Sequence, residues 1–176
     1  IQQYREKFLF PIKTFYESVG FNFDNESFED TNKEFHDSFS KQIWTLALQP
    51  FAKETNIKIS KTNTVQSILS ATMQEKLTEQ VGFFDLQHYL ENIVGLSSTP
   101  SGYGKEYEGS ELMMGVDIPA SETIIIGDSV LDFSVSQSLG IDCALVYNGH
   151  NDMNRLKATG SYTFEHIDSF YNWLTD

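Results

Sequence analysis

The stretch "TIIIGDSVLDF", residues 123–133, decides how this chain is read. Three consecutive isoleucines make a short, β-branched apolar run, the pattern of a strand buried on both faces of a parallel sheet. A glycine follows, and then two carboxylates four positions apart, Asp128 and Asp132. Ligands of open parallel sheets bind beyond the carboxyl ends of the strands. Asp128 stands at such an end, and Asp132 lies one turn later, at the start of the next helix, so that both turn to one side. Carboxylates this close repel unless a cation lies between or beside them. A hard, oxygen-ligated Mg²⁺, completed by water and a phosphate, resolves the conflict. The bland alternative makes Asp128 an N-cap and Asp132 a first-turn acid favoured by the helix dipole.

The pattern around this strand is an alternation of short apolar runs and amphipathic segments. Strand-like runs are expected at 64–70, around Ile93 to Leu96, at 123–127, at 142–147 and in "SYTFEH"; helices fall between them and in the closing "IDSFYNWLTD". Gly140 and Gly160 read as helix stops. This alternation predicts βαβ units and a Rossmann-like α/β core with a parallel sheet over residues 49–176. Residues 1–48 differ. Phe8, Ile12, Phe15 and Val19 share one helical face, with Pro11 as a kink or a restart, and Gly20 ends the run. Phe28, Phe35, Phe39, Ile43 and Leu46 mark a second amphipathic helix capped by Asn25 or Ser27. The pair predicts an αα-hairpin, a small helical unit whose Phe-rich stripes form its core. The stretch 97–109, with three glycines and a proline, is the longest irregular one, and loops of that length are more often functional than accidental.

Bulk composition removes several classes. The chain has 176 residues, 40% of them hydrophobic, enough for a real core. Its 12 basic against 25 acidic residues give a net charge of -13, which argues against nucleic acid or an anionic membrane as partner. An anionic substrate would then need a local cation to approach. One cysteine, Cys143, forms no internal disulfide, fits a reducing compartment such as the cytoplasm, and reads as a core residue. No apolar run approaches the roughly 20 residues of a membrane span. The chain begins with Ile rather than Met, which suggests a longer natural sequence.

Each strand end offers a polar group. Ser70, in "SILSAT", can donate a hydroxyl to a phosphate oxygen or can cap the next helix, itself an anion-favouring position. Lys105 sits in the glycine-rich stretch and is either a solvated surface lysine or a fixed cation. His150, in "YNGHN", lies near the same edge and either touches substrate or belongs to an ordinary loop. Hydroxyl, lysine and paired aspartates at successive strand ends are the parts needed for phosphoryl transfer: positioning donors, a fixed cation and a metal.

In this order the motifs resemble those of the haloacid dehalogenase (HAD) superfamily, within it the phosphoglycolate-phosphatase-like hydrolases, over residues 64–147. The resemblance implies that Ser70 and the backbone N–H of Ala71 bind phosphate and that Lys105 neutralises it together with the nucleophile. It implies that Asp128 ligates Mg²⁺ directly, with Asp132 as a ligand or an orienter of the site, and that residues 1–48 form a cap. Tyr16, Asn32, His36 and Trp44 are the cap positions that could face a substrate, each of them equally readable as structural. The substrate implied is a small phosphorylated metabolite, hydrolysed through an aspartyl-phosphate. The family's Asp-x-Asp nucleophile motif, which ends the central strand ahead of the cap, is absent from the sequence; a short upstream segment is expected to carry it, and the 176-residue chain by itself to be inactive or nearly so. The competing reading is a noncatalytic binding or regulatory module on the same fold. A receiver-like domain fits less well, because it predicts no helical front end.

Overall fold

The computed structural model describes residues 1–97 and 105–176. The expected strands and helices of the core are present, displaced by a few residues at their ends. The helical front end holds α1 (Gln2–Lys7), α2 (Ile12–Ser18) and α3 (Phe28–Gln42), followed by a short 3₁₀ turn at Ile43–Thr45. Then come α4 (Ala52–Ile59), β1 (Ser67–Met73), α5 (Gln74–Phe83), β2 (Asn92–Leu96) and α6 (Glu106–Gly115). The chain closes with β3 (Ile124–Gly127), α7 (Val130–Leu139), β4 (Asp142–Val146), α8 (Met153–Ala158), β5 (Tyr162–Phe164) and α9 (Ile167–Thr175). Most of the expected loop at 97–109 lies outside the described residues; its last part is the start of α6. Among the described residues, no helix is long and apolar enough to cross a membrane.

All strand pairs are parallel, in two sheets: β1 with β2, and β3-β4-β5. The core lies where β4, paired on both sides, meets α7, α8 and α9. Ala144, Leu145, Val135 and Leu156 are fully buried there, and Phe170 nearly so. Cys143 joins this cluster, as its place in a strand predicts, and burial pushes its thiol above the ordinary value. Burying one such Leu or Val side chain contributes about 1.5–3 kcal/mol, so this centre anchors the fold.

The isoleucine strand is less buried than its composition predicts. Ile124, Ile125 and Ile126 are each only half-buried, whereas Cys143 to Leu145 on the neighbouring strand are buried. Among the described residues β3 pairs with β4 alone, and β1 with β2 alone, so each keeps one lateral edge without a strand there. The backbone settles which groups face these edges. Gln66 O accepts from Glu91 N at 2.7 Å, towards β2, so the alternation of the strand turns Leu69 O the other way. Thr123 O likewise accepts from Asp142 N at 3.1 Å, leaving Ile124 and Ile126 to face away from β4.

The front end departs from the expected pair of long helices. Pro11 restarts the chain: α1 ends at Lys7, the Phe10–Pro11 peptide is cis, and α2 begins with Pro11 as its N-cap. Ser27 caps α3 as expected, its hydroxyl accepting from Asp30 N. The Phe stripe of α3 is not a core. Phe35 is 53% exposed and Phe39 40%. The reason is local: α3 meets α2 near its start, through Phe28 with Tyr16 and Phe23, and the 3₁₀ turn at its end, and its middle lacks a covering element among the described residues. The sequence reading also missed α4, an eight-residue helix packed on α9.

α1 is fastened to the core. Buried Asn151 accepts from Val130 N at 2.8 Å and donates to Phe8 O at 3.0 Å, joining α7, the loop after β4 and the end of α1. Arg155 donates to Phe8 O and to Glu6 O, a cation on the last carbonyls of the helix. Asn151→Ala leaves both a buried N–H and a buried carbonyl without that partner and should cost about 1–3 kcal/mol. Exposed Asn154→Ala should change stability by about 0.5 kcal/mol or less. Urea unfolding of the two variants checks the contrast.

Candidate active site

The site is built where β3 gives way to α7. Ser129, not Asp128, is the N-cap, and with Asp132 it forms a capping box. Asp132 Oδ2 accepts from Ser129 N at 3.0 Å, from Ser129 Oγ at 2.7 Å and from Asp128 N at 3.1 Å. Its other oxygen, Oδ1, lies 2.8 Å from Lys105 Nζ. Gly127 permits this fold-back, since a Cβ there would overlap the Asp132 carboxylate.

Lys105 is no solvated surface residue. It is 8% exposed, Asp132 5%, and the ammonium also donates to Leu69 O at 2.8 Å. That carbonyl belongs to the open edge of β1. The lysine therefore spans from one sheet to the start of α7 behind the other, taking the hydrogen bond that a neighbouring strand's N–H would otherwise make. Burial by itself would raise the Asp132 carboxyl. The Lys105 charge and hydrogen bond, then the Ser129 and Asp128 donors, outweigh it and hold the carboxyl below the usual range.

Ser70 lies on the same side of the molecule as this junction, one residue beyond Leu69. Regular pairing of β1 with β2 runs through Leu69↔Val94 and then shifts register before Met73, so Ser70 and Ala71 sit in the irregular exit of the strand. Ser70 does not cap α5, whose N-cap is Met73. Among the described residues its Oγ accepts only the nearby Thr72 N–H, at 3.1 Å, which leaves the hydroxyl proton available to donate.

Asp128 is the more open carboxylate. Its Oδ2 accepts from His150 N at 2.5 Å, and its backbone O from Asn151 N at 3.2 Å. Oδ1 takes no hydrogen bond among the described residues. Gly149 allows the loop after β4 to pass this close, because a Cβ there would collide with the carboxylate. The loop is held by Arg5 of α1, which donates to Gly149 O at 3.0 Å and Asn148 O at 2.9 Å and lies over the Tyr147 ring. Tyr4, next to it, bonds His150, and its phenol is pushed up to about 12 by burial and then by the Asp128 charge.

The structure thus brings Lys105, Asp132 and Asp128 into one connected group, with Ser70 and Ala71 adjacent through Leu69. Among the cap positions, His36 is exposed and Trp44 is 40% exposed against Phe83. Tyr4 and Arg5 were invisible to the sequence reading. Their segment, "QQYREKF", shows only helical character, and their partners lie about 145 positions away.

As a divalent-cation site the group is partial. Among the described residues no cluster of three or more His, Cys, Asp or Glu side chains exists. Asp132 is consumed by the protein, and Asp128 offers one open oxygen. Mg²⁺ keeps several waters and commonly takes only one or two carboxylates besides substrate phosphate, so this donor set fits part of such a site.

The fold and these strand-end residues define an α/β protein of the haloacid dehalogenase type. The chain belongs to the haloacid dehalogenase-like hydrolase family, whose sequence profile matches residues 2–146. Among curated proteins none matches significantly. Among solved structures, a predicted phosphatase from Clostridium acetobutylicum superposes with a TM-score of 0.78 at 18% identity, covering 93% of this chain and 76% of that one. A hydrolase from Pseudomonas syringae gives 0.73 at 18% identity, covering 99% and 81%. A predicted phosphoglycolate phosphatase from Haemophilus somnus gives 0.71 at 15% identity, covering 82% and 64%. At such identities the likeness is one of fold.

Because Asp132 is ionised below its usual range when folded, its contribution to stability is present above about pH 4 and disappears as pH falls through the lowered value. Asp132→Asn leaves Lys105 buried without its counter-charge and should cost about 3–5 kcal/mol at pH 7. The gap between wild type and variant should narrow below about pH 4, as read from urea unfolding at pH 7 and pH 3.

Proposed function

We propose that this protein is a Mg²⁺-dependent phosphatase acting on a small phosphorylated metabolite. The observation that carries the reading is the Lys105 bridge. One buried cation ties the exit of β1, where Ser70 and Ala71 lie, to the capping box beside Asp128. Donor, cation and carboxylate therefore lie together at strand ends of the two sheets, an arrangement suited to phosphoryl transfer.

In this reading the Ser70 hydroxyl and the Ala71 N–H donate to two phosphate oxygens. Lys105 supplies the fixed positive charge that an acidic protein needs to admit an anion. Asp132 keeps the lysine aimed, and so orients the site rather than ligating metal. Asp128 holds Mg²⁺, which when bound supplies further charge neutralisation and orientation of the phosphate. The nucleophile is a carboxylate on a further parallel strand seated along the open edges of β1 and β3, carried on a segment upstream of Ile1. That carboxylate attacks phosphorus as the bond to the alcohol oxygen breaks, the second acid of the same Asp-x-Asp pair giving the leaving oxygen its proton; water then attacks the aspartyl-phosphate, releasing inorganic phosphate and the free carboxylate. The helical stretch 1–48, anchored through α1, acts as the cap that shields the reaction from water. A cytoplasmic setting agrees with the single buried thiol.

Turnover of p-nitrophenyl phosphate with Mg²⁺ tests this. The 176-residue chain should remain at background. Extending it before Ile1 with an apolar strand ending in Asp-x-Asp should give activity, and Asp128→Asn or Lys105→Met should then reduce kcat by about 100-fold or more. Strong activity in the unextended chain would overturn the placement of the nucleophile. Silence of the extended one would favour the noncatalytic phosphate-binding module.

A further inference from the structure

His150 is tied to Asp128 by its backbone and to the front end by its ring. The imidazole stacks on Phe8, with ring centroids 4.3 Å apart and planes 16° from parallel. Its Nδ1 lies 2.6 Å from the Tyr4 hydroxyl. Phe8 is buried, and Tyr4 packs against it at 5.2 Å, so the ring rests on a fixed aromatic floor while the residue itself stays exposed. The backbone N–H of the same residue donates to Asp128 Oδ2. Ring and candidate metal ligand are thus fixed relative to one another by a single residue, and the Arg5 clamp on Asn148 and Gly149 holds the loop that carries it.

The bond to Tyr4 also bears on the tautomer. With the Tyr4 O–H, which has no other acceptor among the described residues, as the donor, Nδ1 accepts. A neutral imidazole that accepts at Nδ1 carries its proton at Nε2. The free end of the ring is then an N–H donor, on the residue whose backbone N–H binds Asp128. We propose that His150 is a substrate-binding residue, presenting Nε2–H to a phosphate oxygen at the Asp128 end of the site, with Tyr4 as the residue that positions it. The assignment rests on the phosphatase reading of the same site. It gives the anion a second donor besides Ser70, and makes the front-end helix α1 part of substrate recognition.

The test uses the whole 176-residue chain, labelled with ¹⁵N, and inorganic phosphate as the probe in the presence of Mg²⁺. The imidazole ¹⁵N shifts of His150 should report the Nε2–H tautomer, and phosphate should move that resonance. His150→Ala should weaken phosphate binding about 10-fold or more, and His150→Gln, which keeps an N–H donor, should restore part of it. Tyr4→Phe should leave the ring as a mixture of tautomers and weaken binding by about 3-fold, the share of a single neutral hydrogen bond. An Nδ1–H tautomer in the wild type would overturn the proposal. So would unchanged binding in His150→Ala alongside lost binding in Ser70→Ala, a result that leaves the phosphate site standing. Failure of the wild type to bind phosphate at all would remove the site and the role of His150 with it.

Discussion

A buried ammonium between a backbone carbonyl and a carboxylate holds this molecule's working end together. Lys105 reaches Leu69 O on one sheet and Asp132 Oδ1 behind the other, each at 2.8 Å. Neither ion would tolerate burial alone, since stripping water from a charge costs several kcal/mol even after the protein relaxes. Each is stable there because the other is present and because Ser129 and two backbone N–H groups fill the remaining lone pairs of the carboxylate. The capping box that starts α7 and the ion pair that joins the two sheets are thus one network.

The same network explains how two parallel sheets with open edges coexist. An unpaired edge exposes carbonyls and N–H groups that need partners. Lys105 satisfies Leu69 O from a side chain, while the isoleucines of β3 remain half-buried, an unusual state for a strand of that composition. Those two edges are also where the proposed phosphatase chemistry would place its nucleophile. The unmet pairing capacity of the fold therefore coincides with the place that the proposal assigns to the nucleophile.

The front end is fastened to the core at one end. α1 is joined to the loop after β4 through Arg5, Asn151 and Arg155, contacts that span about 140 to 150 positions of sequence. Beyond it, α3 presents Phe35 and Phe39 to solvent, so the front end is rigidly attached at one end and loosely packed in its middle. That gradient suits a unit that fixes a recognition group near Asp128 and leaves its remainder free to adapt.

The order and type of the core elements were legible from local signals. Three isoleucines before glycine define β3, Gly140 in a left-handed conformation stops α7, and the spacing of Asp128 and Asp132 marks a strand-to-helix turn. Ser27 as a cap was readable for the same reason: capping is satisfied within three residues. The family resemblance implied Asp128 as the direct ligand and Asp132 as a ligand or an orienter, but spacing alone did not divide their labour. Spacing makes them equivalent, whereas the fold delivers Lys105 to Asp132 and leaves Asp128 with an open oxygen. The exposure of the α3 stripe and the roles of Tyr4 and Arg5 were equally hidden. Sequence periodicity fixes which face of a helix is apolar, but only tertiary packing determines whether anything covers it, because that depends on partners far away in the chain.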